Sequence, residues 1–392
     1  MAPIRVGIIG LRPGPDEKPT LASGLGYWAA STHLPALKAL PEQYEIVAVC
    51  NSHVESAKQA IKGYRLSESA RAYGNPEDLA NDPNVDLVVV SVNVGKHFEL
   101  AKPALEKKKH VLVEWPLGAG LAEAEELCRL AETAGVRTSV GVQGRADPLV
   151  ARVKNIIESG QIGKVVSSSA WVSTSVLSYN TWMEKGEYFL DHKSGGNLFF
   201  IYFGHFLDSF VHVLGDFTEL QAIMKNTVPE VSIYSAEGVL VNPAYPKTSA
   251  DHILVQGVLE SGTVASLTVR TVRDEVDGVS FRWIISGTEG EMEVIIPHGH
   301  WQFSEPKRTL KLKIGKNEVQ NVDFQSSDEV IAALPTIGTN IARQYRAFAK
   351  GDTDIVASFQ SALKTHRLLD RILKAAGWEA FLMFVTQYMT TT

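Results

Sequence analysis

The chain has almost no cysteine: Cys50 and Cys128 are the only two in 392 residues. Each lies in an apolar stretch, which excludes a disulfide framework or a cysteine metal knuckle and predicts buried thiols in a reducing compartment. Long apolar runs are also missing. None reaches the roughly 18 residues that span a bilayer, and residues 1–5 lead into a strand-like segment without a charged and apolar leader. A soluble, unsecreted protein is expected, cytoplasmic or, in a regulatory role, nuclear, with no membrane partner. Neither sign of charge dominates. With 38 Lys+Arg against 44 Asp+Glu, the formal net charge of -6 supplies no global field for nucleic acid, so direct nucleic-acid contact is not expected. The one basic run, Lys107-Lys108-Lys109, reads as a solvated helix end. A Gly-x-Ser-x-Gly elbow is absent, and His298 and His300 have no third ligand at useful spacing. No hydrolytic triad and no metal site are predicted.

What is present is 45% hydrophobic and 21% charged, a globular balance over a length that suits two domains. Through residue 143, short β-branched runs at 5–10, 46–50, 87–92, 111–114 and 138–142 alternate with helical stretches near 34–40, 53–63, 76–81, 98–107 and 121–134. Continuous apolar strands between amphipathic helices imply right-handed βαβ units and a doubly wound parallel sheet, a Rossmann domain over 1–143. Beyond Gly144 the pattern changes. A helix at 148–159 is followed by strands at 165–174, 219–225, 252–260, 263–272, 279–286, 292–296 and 309–313. Helices are expected at 197–214, 336–350 and 358–375. Successive strands without helices between them predict an α+β domain over 144–392, built on a mostly antiparallel sheet.

A strand ending at Gly10 is where a dinucleotide fold places its glycine-rich turn. Here G-x-G-x-x-G is absent, and fifteen residues separate Gly10 from Gly26, where the helix is expected to begin. Either the loop no longer binds a dinucleotide, or Gly10, Leu11 and Arg12, with the Ser31 and Thr32 hydroxyls, supply the phosphate contacts. At the end of the second strand, Asn51 and Ser52 stand where an acid would bind the ribose 2′-OH and repel a 2′-phosphate. NAD(P) is the expected cofactor, with NADP slightly preferred. Asn/Ser is also ordinary turn chemistry.

Several spaced segments resemble the Gfo/Idh/MocA oxidoreductase family: 91–97 (Ser-Val-Asn-Val-Gly-Lys-His), 113–117 (Val-Glu-Trp-Pro-Leu), 141–145 (Gly-Val-Gln-Gly-Arg), and Gly195-Gly196 through His205 to Asp208. Trp28-Ala29, Thr32-His33-Leu34-Pro35-Ala36, Phe203-Gly204-His205, Asp251 to Gly257 and Ser286 to Glu291 are closer to a fungal branch that contains a galactose-pathway repressor. The resemblance implies a Rossmann domain followed by an open-faced sheet that makes a homodimer. It also implies hydride transfer between a nicotinamide and a sugar or related carbinol. In the repressor branch the implied role is control of a transcription activator.

Against that pattern, Trp115 stands where the family enzymes carry the lysine of Glu-Lys-Pro, and Ile201 stands where they carry an aspartate four residues before the histidine matched by His205. An indole N–H donates but does not titrate. His205 is the candidate acid/base, with Tyr202 one turn away; the competing roles are a histidine tied down in its helix and a packing tyrosine. Glu114 at a strand end faces the expected cofactor crevice. Asn93 is assigned to the cofactor or to its turn, His97 to the cofactor or to a helix cap, and Gln143 to the nicotinamide amide or to a hinge. The expected function is an NAD(P)-dependent oxidoreductase with a non-standard site for a small carbonyl or carbinol metabolite of fungal specialised metabolism. The alternatives are a dinucleotide-binding regulator holding an acidic activator peptide, and a non-redox cyclase or isomerase.

Overall fold

The computed structural model describes residues 2–14, 26–174 and 179–378. The part of the long loop from 15 to 25 lies outside them. Along the first part run β1 (Ile4–Ile9), α1 (Leu34–Lys38), β2 (Tyr44–Cys50), α2 (Val54–Gly63), β3 (Arg71–Tyr73), α3 (Pro76–Asn81), β4 (Leu87–Val90), α4 (His97–Glu106), β5 (His110–Val113), α5 (Leu121–Ala134) and β6 (Thr138–Val140). These strands form one all-parallel sheet of order β3-β2-β1-β4-β5-β6. The order reverses between β1 and β4, which pair from Val6↔Leu87 to Ile9↔Val90. This is the switch point where doubly wound sheets take ligands. The strands are buried on both faces, as their uninterrupted Val/Ile runs require. The three-residue β3 has too little apolar pattern to stand out in the sequence.

The second part contains α6 (Pro148–Glu158), β7 (Val165–Thr174), β8 (Thr181–Met183), α7 (Gly204–Leu214), β9 (Phe217–Lys225), β10 (Glu230–Tyr234), β11 (Leu240–Pro246), β12 (His252–Leu259), β13 (Val264–Thr271), β14 (Phe281–Gly287), β15 (Gly290–Ile296), β16 (Thr309–Ile314) and β17 (Gln320–Asn321). Eight of these strands form a sheet of order β17-β16-β15-β14-β7-β13-β12-β9, in which only β7 and β13 run parallel. One face carries a dense aromatic layer in which Phe206 and Phe210 of α7, Phe281, Trp283 and Trp301 pack with ring centroids 4.9–6.0 Å apart. Each such pair adds about 0.5–1.5 kcal/mol beyond simple area burial. The opposite face leaves Val166, Trp171, Ile223, Leu254 and Val264 exposed. A separate three-stranded sheet, β11-β10-β8, was not anticipated. Its strands are short, and Pro243 and Pro246 interrupt the β signal of β11.

The chain closes with α8 (Glu329–Ala332), α9 (Thr336–Lys350) and α10 (Phe359–Ala375). Two compact units result: residues 1–147 with 302–304 and 326–366, and residues 148–301 with 305–325 and 367–392. The first cut lies four residues beyond the one expected at 143/144, and the first unit also takes in α9. The reason is packing: Tyr345 of α9 is fully buried against His33 and Tyr44, and its backbone carbonyl accepts the Tyr44 hydroxyl at 2.7 Å.

Each unit holds buried neutral histidine. Burial pushes His366 of the first unit, and His192 and His300 of the second, down to about 4. In the unfolded chain these rings titrate near their ordinary value of about 6.5. Their contribution to stability is therefore complete above pH 6.5 and is lost as the pH falls toward 4. Urea unfolding at pH 7.5, 6 and 5 should show little change above 6.5 and a steep loss below it. His366→Gln should remove part of that loss, and an unchanged slope would exclude His366 as a contributor.

Candidate functional site

The candidate residues of the first unit collect at the C-terminal edge of its parallel sheet, because each directly follows a strand: Gly10 after β1, Asn51 after β2, Ser91 after β4, Glu114 after β5 and Gly141 after β6. Gly10 has φ +94°, and a Cβ there would lie 2.3 Å from the Ser91 carbonyl oxygen. Only glycine fits that close crossing. Leu11 is buried, and its carbonyl accepts the Asn51 Nδ2–H at 2.9 Å, while Ser52 is exposed. Asn51 therefore ties the phosphate loop to the end of β2 as well as leaving that position without a carboxylate. Arg12 is exposed, its guanidinium 4.8 Å from the Tyr27 ring centre and its carbonyl held by the Tyr64 hydroxyl at 2.8 Å. The helix after the loop opens on a π-turn, Ala29–His33, an irregularity common at functional sites.

Glu114 is buried, and its Oε1 lies 2.7 Å from His33 Nε2. His33 Nδ1 lies 2.7 Å from the Tyr345 hydroxyl. The tautomer follows from the partners: the tyrosine O–H donates to Nδ1, and Nε2–H donates to the carboxylate. Gly141 makes room for this carboxylate, since a Cβ there would meet Glu114 Oε2 at 2.5 Å. Trp115, joined to Pro116 by a cis peptide, is buried with its ring 4.9 Å from that of His366. The next residue, Leu117, donates its N–H to His366 Nε2 at 3.2 Å.

His97 is buried, with Nδ1 2.7 Å from the Pro116 carbonyl and Nε2 3.1 Å from the Val92 carbonyl. Burial lowers its pKa, so the neutral ring donates to the nearer carbonyl, that of Pro116. Its ring nitrogens thus hold the turn rather than extend from it. Asn93 is exposed and caps the following 3-10 turn, its Oδ1 accepting the Gly95 N–H at 3.0 Å. Gln143 is different. It is 1% exposed, and neither its Nε2 nor its Oε1 has a partner among the described residues. The buried Ser91 hydroxyl is likewise unpartnered. Buried amides are nearly always satisfied, so an orphaned one calls for a missing partner. The open crossing at Gly10 and this unmatched donor–acceptor pair fit a dinucleotide whose carboxamide carries the complementary pair.

In the second unit, Asn197 caps a π-turn, Leu198–Phe203, by accepting the N–H groups of Phe199 and Phe200 at 3.1 and 3.3 Å. The turn runs directly into α7, whose second residue is the buried His205. Tyr202 donates its hydroxyl to the Gly299 carbonyl, and burial raises its pKa far above the ordinary value. It is anchored there in the protonated form. Ile201 lies in the same π-turn, with its backbone N–H bonded to the Asn197 carbonyl.

His33, Tyr345, His366 and Ser91 went unassigned in the sequence reading. His33 lay inside a quoted motif, but its partners are 81 and 312 residues away, and nothing local marks such a pairing. Among the described residues there is no group of three or more His, Cys, Asp or Glu placed to hold a metal ion, and no helix is long and apolar enough to cross a membrane.

Comparison with known proteins places this geometry. Residues 21–142 match the oxidoreductase family with an NAD-binding Rossmann fold, and residues 148–295 match the Gal80p C-terminal domain. The Kluyveromyces lactis galactose/lactose metabolism regulatory protein GAL80 is 33% identical over 270 residues, 67% of this chain but only 56% of that protein. The dehydrogenase aclE of Aspergillus oryzae is 29% identical over 374 residues, 95% of this chain and 96% of its own. Among solved structures, a super-repressor variant of Saccharomyces cerevisiae Gal80p superposes with a TM-score of 0.83 at 25% identity, covering 96% of this chain and 97% of that one. Levoglucosan dehydrogenase shares the fold, with a TM-score of 0.76 at 20% identity over 97% of this chain and 98% of its own. With both matches in tandem and the six-stranded and eight-stranded sheets in the same order, the chain belongs to the Gfo/Idh/MocA oxidoreductase family, in the branch that carries a Gal80p-type C-terminal domain.

Proposed function

We propose that the chain is a nicotinamide-dinucleotide-dependent oxidoreductase with a non-standard active site, acting on a small carbonyl or carbinol metabolite of fungal specialised metabolism. The observation that carries the reading is the buried, unpartnered Gln143 amide at the ligand edge of the parallel sheet. The weight toward catalysis comes from the alignment with a dehydrogenase over nearly the whole of both chains, where the galactose regulator aligns over little more than half its length. The family supports a nicotinamide dinucleotide. Gly10, Leu11 and Arg12 would take its phosphates, Asn51 and Ser52 its adenosine ribose, Asn93 its middle, and Gln143 its carboxamide, with Trp115 as an apolar wall. Glu114 and His97 hold the turn that carries Trp115. No carboxylate stands at Asn51 and Arg12 is exposed, which supports a slight preference for NADP.

When bound, the nicotinamide supplies or accepts the hydride. His205 exchanges the substrate proton, and Tyr202 keeps the segment around Gly299 in place. The exposed Ile223, Leu254 and Trp171 lie on β9, β12 and β7, with Leu254 directly opposite Ile223 and Thr268 of β13 between Leu254 and Trp171. They support a homodimer through the sheet face. A cytosolic location follows from this reading.

A second reading, a dinucleotide-binding regulator that holds an acidic activator peptide in the cytosol or nucleus, is favoured by two residues. Trp115 and Ile201 leave both positions without a titrating group, and the protein resembles Gal80p in sequence and structure.

Three outcomes test these readings. Gln143→Leu removes an unsatisfied buried amide, so it should leave the melting temperature unchanged or higher while weakening NADPH binding at least about tenfold by calorimetry. Equal affinity would remove Gln143 from the site. His205→Ala should keep nucleotide affinity while cutting NADPH oxidation by a carbonyl substrate about 100-fold or more. Tight binding of an acidic peptide by both forms, with no turnover by either, would instead establish the regulator. Trp171→Lys should yield monomers in sedimentation velocity if the sheet face is the dimer contact, and an unaltered dimer would place the contact elsewhere.

A further inference from the structure

The second unit contains a pocket that no candidate residue above explains. It encloses about 380 Å³ of empty space, its open mouth included. Much of that space is open to solvent, so the enclosed part is smaller still and far too little for a dinucleotide. One wall is aromatic: Trp182 and Phe189 stack with centroids 5.1 Å apart and planes 21° from parallel. The indole N–H donates to the Gly186 carbonyl at 2.6 Å. That donor is therefore engaged within the protein. Leu198 and Val231 add aliphatic surface.

The polar lining is engaged in the same way. Asp251 accepts the backbone N–H groups of Thr227 and Val228, the Thr227 hydroxyl, His252 Nδ1 and the Lys247 ammonium, all at 2.8–3.0 Å. Lys247 and Asp251 neutralise one another, so the pair offers no net charge to an ionic ligand. Thr271 is 3.2 Å from the hydroxyl of Thr174. What remains are the Ser249 and Tyr179 hydroxyls, neither of which has a hydrogen bond among the described residues. A polyol placed here would bury several hydroxyls with two partners between them, and each unmatched hydroxyl weakens binding. A flat apolar ring bearing one oxygen loses nothing of that kind and gains stacking on the indole.

We propose that this pocket, between the β11-β10-β8 sheet and the segment 189–198, binds a single aromatic ring carrying one oxygen, a phenol or an aryl carbonyl, in preference to a sugar. This goes beyond the nucleotide reading and does not depend on it. The test uses the full chain without nucleotide, with 4-methylphenol and myo-inositol as separate probes in ligand-observed NMR and calorimetry. Saturable binding of 4-methylphenol is expected, with no saturation by myo-inositol. Trp182→Leu should weaken the phenol at least about tenfold while leaving NADPH affinity unchanged. Phe189→Leu is the second variant if the first does not fold by circular dichroism, and the same loss is expected. No saturation by 4-methylphenol, wild-type affinity in the folded variant, or tighter binding of myo-inositol would each overturn the proposal. Loss of NADPH binding by the wild-type chain would count against the oxidoreductase reading alone.

Discussion

The hydrogen bond between Glu114 and His33 is the constraint on which the nucleotide-binding unit depends. It joins the end of β5 to the helix that leaves the phosphate loop, and through Tyr345 it reaches α9 from the far end of the chain. All three side chains are buried, where a broken contact leaves a charge or a hydroxyl without water. Other features follow from it. Position 141 must be glycine because the carboxylate lies against it, and α9 must belong to this unit because its tyrosine completes the chain of donors. The turn that follows Glu114 starts from a fixed point, and His97 and His366 then hold its next backbone groups.

This arrangement changes the meaning of the missing lysine. A lysine would extend a flexible ammonium from the turn, whereas Trp115 is buried with its ring tilted against that of His366. The substitution converts a mobile charge into a fixed wall. Histidines surround the turn, yet none is available there as an acid or base: His33 is engaged at both nitrogens, His97 faces two carbonyls, and His366 accepts a backbone N–H.

The parallel sheet was legible because its strands are buried on both faces and its helices carry one apolar stripe; α3, α5 and α9 begin and end where their periodicity and caps predict. What escaped was short or long-range. β3, β8, β10 and β11 have two to four apolar side chains each and draw their identity from a neighbour strand. The segment 197–214 reads as one helix, and the wider turn at its start is hidden because a π-turn has almost the same apolar spacing as an α-turn over six residues. Gln143 was visible as a candidate, but the fact that gives it weight, two buried atoms without partners, exists only in three dimensions. The roles of His97 and Glu114 as holders of the turn were equally hidden, since their partners are carbonyls and a distant histidine.

A family enzyme needs a base near the reacting carbinol at neutral pH, and such a base must titrate near that pH and be able to move its proton. At the edge of the nucleotide-binding sheet the described titrating groups are engaged in backbone or side-chain contacts. Tyr202 in the second unit is held protonated by burial. Under the proposed function the acid/base role falls to His205, at the start of α7 behind a π-turn. A histidine can donate to or accept from a substrate oxygen. A substrate whose oxygen is already acidic or already a carbonyl needs no further charge to drive an alcohol to alkoxide. Under the proposed function, an aryl carbonyl or phenolic metabolite would meet that requirement where a sugar would not, so Trp115 and Ile201 would narrow the substrate chemistry without abolishing it.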